Sequence, residues 1–347
     1  MSGQIARRHL LRYVAIAALA TVATAAAQTQ ATTITGAGAT FPYPIYSRWF
    51  DEYEKRTPQV RFSYQSIGSG GGIRQLTDEF VFFGATDAPM LEEELLAAPA
   101  RIVHIPTVVG AVVPVYNVPG VPRGLKFTGT LLADMFLGRI TNWNDPAIAR
   151  VNEGIVLPPL EITPVFRADS SGTSYVWSDF LSKVSPEWRR QVGANRLSTV
   201  PHGLSVKGGS EGVSGTVTQT RGAIGYVELT YAVRNGLATG AVQNSAGQFV
   251  RASVESIKAA ADAAVGRMPR DLRVSITNAP GNGAYPATSF TWMLLYENGD
   301  RRRSRLMVDF LKWALSDGQA MAPELGYAPL PPAVVTLATE ALRKIKT

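Results

Sequence analysis

The sequence predicts an α/β fold arranged as two lobes with a cleft between them, and three observations carry that prediction. Strand-like and helix-like segments alternate along nearly the whole chain. Two apolar extended runs lie far apart, at "RIVHIPTVVGAVVPVYNV" and "YPATSFTWMLLYE", and suit two crossings between separate bodies. With 347 residues, 46% hydrophobic and 18% charged, the chain has material for two cores. No internal repeat or low-complexity block argues for another architecture.

The elements follow in order. The chain opens on "RRHLLR" and then "YVAIAALATVATAAA", a basic stretch and an apolar run ending in small residues. This predicts an export signal over residues 1–27, cleaved after Ala27 to leave Gln28 as the new terminus. The run is short for a membrane span, and a chain without cysteine cannot carry a thioether lipid anchor. A soluble periplasmic product is expected. The absence of cysteine also excludes disulfides, thiolate metal sites and a cysteine nucleophile. Without the signal, 31 basic residues face 27 acidic ones, a net charge of +4. That mild excess suits an anionic ligand and is too scattered for nucleic acid. The one dense patch, "DRRRSR" at Asp300 to Arg305, reads as a solvated loop and helix start.

"YPIYSRWFDEYEK" puts Ile45, Trp49, Phe50 and Tyr53 on one face of a helix. "VRFSYQSI" puts Val60, Phe62 and Tyr64 on one side of a strand. Around these, three short stretches share one design. "TGAGATFPYPIY" places Thr40 before the first helix, with Pro42 compatible with its first turn. "SIGSGGGIRQL" places Ser69 before a helix carrying Ile73 and Leu76. "RADSSGTSYVW" follows the strand "EITPVF" and places Ser171, Gly172 and Thr173 before Val176, Phe180 and Leu181. A hydroxyl beside the free N–H groups of a helix start makes an anion site without a cationic side chain. Each such turn, taken alone, reads first as an ordinary helix cap. Three together, one of them with Arg167, whose forked donors suit an oxyanion, and with Asp169 two residues on, favour a ligand. The plain alternative for Arg167 and Asp169 is a surface ion pair.

A fourth element is "FVFFGATDAPM". After an apolar strand at Val81–Phe83, Asp87 stands in apolar surroundings. A carboxylate suits an anion site only where the anion brings a proton, as hydrogen phosphate does and sulfate does not. The competing reading is a turn or cap residue.

With these residues assembled, the chain resembles the phosphate-binding proteins of Pst-type ABC transporters. The resemblance rests on "TGAGATFPYPIY", "YQSIGSGGGIRQL", "FGATDAPM", "IPTVVGAVVPVYN", "LGRITNWNDPAI", "RADSSGTSYVW", "GAIGYVE" and "LGYAPLP", in family order over nearly all of the mature chain. It implies a type II periplasmic binding-protein fold, two α/β lobes joined by a hinge with the ligand in the cleft. The expected division is 28–107 with 286–347 in the first lobe and 108–285 in the second. The implied phosphate ligands are Thr40, the Phe41 N–H, Ser69 and Asp87 from the first lobe, and Arg167, Ser171, Gly172 and Thr173 from the second. Asp169 is implied to steady Arg167. No cofactor or metal is expected; the implied partners are inorganic phosphate and the permease subunits of the transporter, and a monomer is expected. Two departures stand out: Gly70 where the family often has serine, and Ser170 where it commonly has glycine.

A serine hydrolase or phosphatase is the rival class. No G-x-S-x-G elbow is present. Beyond the signal only His104 and His202 remain, the first in an apolar run that suits a structural histidine, the second in a glycine-rich loop. Nothing by spacing supplies a base or a metal site. Within binding, an exported scavenger or surface protein uncoupled from import, or a receptor for arsenate or sulfate, stays open.

Overall fold

Residues 31–197 and 202–347 are described by the computed structural model. The expected export signal and its cleavage point lie outside the described residues. Strand β1 (Thr32–Gly38) leads to helix α1 (Tyr43–Arg56), β2 (Val60–Ser66), α2 (Ser69–Thr77), β3 (Phe83–Thr86) and α3 (Glu92–Ala97). The long β4 (Ile102–Tyr116) is followed by β5 (Lys126–Phe127), α4 (Gly129–Phe136), α5 (Pro146–Val151), β6 (Thr163–Arg167), α6 (Gly172–Val184) and α7 (Pro186–Gln191). Then come β7 (Leu204–Val206), α8 (Gly209–Gln219), β8 (Ala223–Glu228), α9 (Leu229–Arg234), β9 (Ala238–Thr239), β10 (Ala241–Gln243), β11 (Phe249–Val250) and α10 (Val254–Asp262). The chain continues through β12 (Thr288–Tyr296), α11 (Arg301–Ala314) and α12 (Pro332–Leu342).

Strand β4 organises the molecule. Its β-branched, apolar sequence is buried from end to end, as a strand covered on both faces requires. One sheet runs in the order β2-β1-β3-β12-β4-β8-β6-β7. Within it, β4 changes partner: Ile102–Ala111 pair with β12, and Val112–Tyr116 pair with β8. The returning chain meets the same point, where the Val112 N–H donates to the Ala287 carbonyl at 2.8 Å. The sheet therefore divides into two lobes joined by extended strands, a type II binding-protein architecture.

Apolar periodicity explains the first lobe. Ile45, Trp49, Phe50 and Tyr53 of α1 are all buried. The Phe50 ring stacks on Phe62 of β2 at 4.5 Å between centroids, and Phe310 of α11 meets Phe62 at 4.7 Å. The C-terminal helices thus return to the first lobe. The basic patch starts α11, with Asp300 capping it through the Arg303 N–H at 2.8 Å and Arg301–Arg303 exposed. His104 is buried and accepts the Met90 N–H at 3.2 Å; burial depresses its basicity to a pKa of about 3, so it is neutral. His202 is exposed.

Two strands differ from the sequence reading by a few residues. Strand β3 covers Phe83–Thr86 rather than Val81–Phe83, because the parallel register with β1 pairs Gly36 with Phe83 and Gly38 with Ala85. Asp87 is therefore the first residue beyond the strand. Likewise β6 runs Thr163–Arg167, and Arg167 is its last residue. Strands β1, β2 and β3 are mutually parallel, as are β6, β7 and β8. The carboxyl ends of both sets carry the turns singled out above, where ligands gather in open α/β sheets.

Candidate anion-binding site

Arg167 is not a surface residue. Its side chain is 1% exposed. Nε and Nη2 donate to the two carboxylate oxygens of Asp169 at 2.6 and 2.5 Å, a two-pronged pair that fixes the guanidinium plane. The remaining edge reaches the other lobe, with Nη1 donating to Thr40 Oγ1 at 3.0 Å. Thr40 Oγ1 also lies 3.0 Å from Ser210 Oγ at the start of α8. Asp169, less buried than its partner, balances a charge that would otherwise be stranded in the interior.

The three hydroxyl turns do not behave alike. Ser171 is a helix cap: its Oγ accepts the Ser174 N–H at 3.1 Å. Ser69 and Thr40 are not. Gly68 occupies the cap position of α2, and Ser69 is its first helical residue. Helix α1 starts at Tyr43 behind Pro42, with no side-chain cap. Freed from capping, Ser69 Oγ accepts the Asp87 N–H at 3.2 Å, and the Thr40 hydroxyl turns to Arg167.

Asp87 is buried. Thr291 Oγ1 on β12 donates to its Oδ1 at 2.8 Å, and Ser289 Oγ to its carbonyl at 3.1 Å. Its Oδ2 is buried without a hydrogen-bond partner, and so is Thr173 Oγ1. Burial raises the Asp87 carboxyl to a pKa of about 7, against the Thr291 hydrogen bond, the Arg167 charge and the nearby Ser69 hydroxyl, which lower it.

Gly172 shows how closely these groups meet. A Cβ there would lie 2.2 Å from Ser69 Oγ and 2.6 Å from Asp87 Oδ2. The first residue of α6 thus presses into the first lobe with room for hydrogen alone. Its N-terminal N–H groups and dipole arrive beside the Asp87 carboxyl. The two family departures also meet in space: a Cβ at Gly70 would lie 2.1 Å from Ser170 Oγ. The serine absent at one position is accommodated at the other, and Gly70 N donates to Ser170 O across the lobes at 2.9 Å. The loop is kept.

Several residues of the site carry no sequence expectation. Tyr231 OH donates to the Thr40 carbonyl at 2.7 Å, and Tyr327 OH to the Phe41 carbonyl at 2.6 Å. Tyr327 OH also lies 3.3 Å from Oε2 of Glu228, a fully buried carboxyl at the end of β8. Burial raises that carboxyl well above the usual range. Arg196 of the second lobe grips Glu94 of the first and donates to the Pro89 carbonyl at 3.0 Å.

A model of the PBP superfamily domain matches residues 23–318. The phosphate-binding protein PstS of Pasteurella multocida is 45% identical over 90% of this chain and 90% of its own length. The protein of the same name from Haemophilus influenzae is 43% identical over 88% and 91%. The chain belongs to this family of phosphate-binding proteins. Among solved structures, a phosphate-binding protein from Stenotrophomonas maltophilia aligns with a TM-score of 0.68 at 19% identity, covering 89% of this chain and 93% of that one. A high-affinity periplasmic phosphate-binding protein solved with phosphate aligns at 0.69 and 20% identity, covering 91% and 99%. At those identities the structures speak for the shared fold, and the sequence relatives for the family.

Proposed function

We propose that this chain is an exported receptor that holds inorganic phosphate between its lobes and delivers it, as a monomer, to the permease subunits of an ABC importer. It holds the ion without turning it over. The ligands in this reading are Thr40, the Phe41 N–H, Ser69 and Asp87 of the first lobe and Arg167, Ser171, Gly172 and Thr173 of the second, with Asp169 behind Arg167. In this reading the hinge follows β4 near Ala111–Val112, where it changes partner, and the return near Ala287–Thr288.

One observation carries the reading. Asp87 Oδ2 and Thr173 Oγ1, one from each lobe, are buried without protein partners beside the start of α6. Orphaned polar atoms of this kind are costly unless a ligand completes them. Hydrogen phosphate has a proton for the carboxylate and oxygens for the hydroxyl, the N–H groups and Arg167. A hydrolase needs a base at its serine; here Ser171 caps a helix and the His104 Nε2 is spent on a backbone N–H.

Calorimetry of phosphate-stripped protein against phosphate, arsenate and sulfate tests the assignment. Tight phosphate binding with sulfate much weaker is expected; no phosphate binding sinks it. Arsenate, with the same shape and a proton to donate, is expected to bind as well. The export reading expects Gln28 as the first residue of protein recovered from the periplasm by osmotic shock. Membrane-bound protein starting at Met1 would overturn it.

A further inference from the structure

Two tyrosines hold the backbone of the Thr40–Phe41 turn, and they stand on different bodies. Tyr327 follows the return of the chain to the first lobe, next to Ala328, which pairs with Val109 of β4. Its bond to the Phe41 carbonyl stays within that lobe. Tyr231 belongs to α9 on the second lobe, so its bond to the Thr40 carbonyl crosses the cleft.

The crossing bond matters because of peptide geometry. Among the described residues no peptide bond is cis. In a trans unit the C=O and the following N–H point to opposite sides of one plane. The Thr40 carbonyl and the Phe41 N–H share such a plane. The Thr40 carbonyl also accepts the Tyr43 N–H of its own lobe at 3.2 Å; the shorter bond from Tyr231 adds a pull from the other lobe and so sets the final direction of the Phe41 N–H. The next unit leads into Pro42, which has no N–H, so Tyr327 anchors Phe41 from behind without competing for a donor. Both phenols are buried, and burial holds them protonated as donors.

We propose that Tyr231 is a positioning residue for phosphate, aiming the Phe41 N–H at the anion only when the second lobe closes on the first, with Tyr327 as the standing brace of the same turn. The inference rests on the phosphate reading above. It makes closure itself part of the assembly of the binding site: a first-lobe donor takes its final direction from a second-lobe hydroxyl.

The test compares the mature wild-type chain with Tyr231→Phe and Tyr327→Phe, using inorganic phosphate. For Tyr231→Phe the Kd is expected to rise about tenfold, as for loss of one buried hydrogen bond, through faster dissociation with the association rate within about twofold. Its ligand-free melting temperature is expected to match the wild type, since the bond forms on closure. Tyr327→Phe is expected to lower the ligand-free melting temperature as well as the affinity. An unchanged Kd in Tyr231→Phe, or a loss of affinity matched by a loss of ligand-free stability, overturns the role of Tyr231 while leaving phosphate binding intact. Wild-type protein that fails to bind phosphate removes the reading on which the inference stands.

Discussion

Arg167→Ala is expected to weaken phosphate binding by about 2–5 kcal/mol, the range for truncating one partner of a buried, hydrogen-bonded charge pair. Two effects add in that figure. The anion loses a charge-assisted donor, and the Asp169 carboxylate, two of whose hydrogen bonds go to the guanidinium, is left facing the cleft with its charge uncancelled. The two can be separated. In Arg167→Ala with Asp169→Ala, the second effect is gone, and part of the lost affinity should return. Arg167→Lys should sit between wild type and alanine, because an ammonium supplies charge but cannot grip Asp169 and reach Thr40 from one rigid plane. Titration calorimetry on folded variants at fixed ionic strength decides. Unchanged affinity in Arg167→Ala would show that the guanidinium serves only the Asp169 and Thr40 contacts.

The parts legible in the sequence are those governed by local pattern. The apolar face of α1, the buried length of β4 and the glycine-hydroxyl turns at strand ends all follow from spacing, and those turns are where Thr40, Ser69, Arg167, Ser171, Gly172 and Thr173 stand. Whether a hydroxyl caps its helix or faces elsewhere turns on an offset of one residue, which composition does not reveal. Ser171 caps; Ser69, one step inside α2, does not. Ser210 carried a related signal, a serine after paired glycines at a helix start. Thr291 and Tyr231 carried none. Their roles depend on the antiparallel insertion of β12 beside β3 and on the second lobe meeting the first, both long-range events. Glu228 and Tyr327 lie in the family motifs "GAIGYVE" and "LGYAPLP", but only the folded chain brings them to the back of the Thr40–Phe41 turn.

Asp87→Asn is expected to change selectivity more than affinity. In the wild type, sulfate would leave Asp87 Oδ2 without a proton to accept and set two negative charges against each other in a buried site. The penalty grows by about 1.4 kcal/mol for each pH unit above the Asp87 pKa of about 7, because below it the carboxyl can take up a proton and donate to sulfate. Asparagine removes the repulsion and can offer an N–H, so phosphate binding should fall modestly or hold while sulfate gains relative to it. The same substitution has a signature without ligand. With its carboxyl raised from 3.8 to about 7, folded Asp87 binds a proton more tightly than the unfolded chain does. The stability this contributes is fully present below pH 4 and is lost as pH rises toward 7, by at most about 4 kcal/mol at 1.4 kcal/mol per unit. Asparagine does not titrate, so the ligand-free variant should gain on the wild type between pH 4 and 8. Glu228, raised chiefly by burial and only lastly by the Asp87 charge, is common to both proteins, so the burial part of its contribution cancels in the difference. Paired phosphate and sulfate titrations, with denaturant melts across that pH range, check both halves. An affinity ratio that Asp87→Asn leaves unchanged would place selectivity elsewhere. A stability difference flat with pH would mean that Asp87 is ionised in the ligand-free protein at no cost, and that its buried oxygen is solvated when the lobes part.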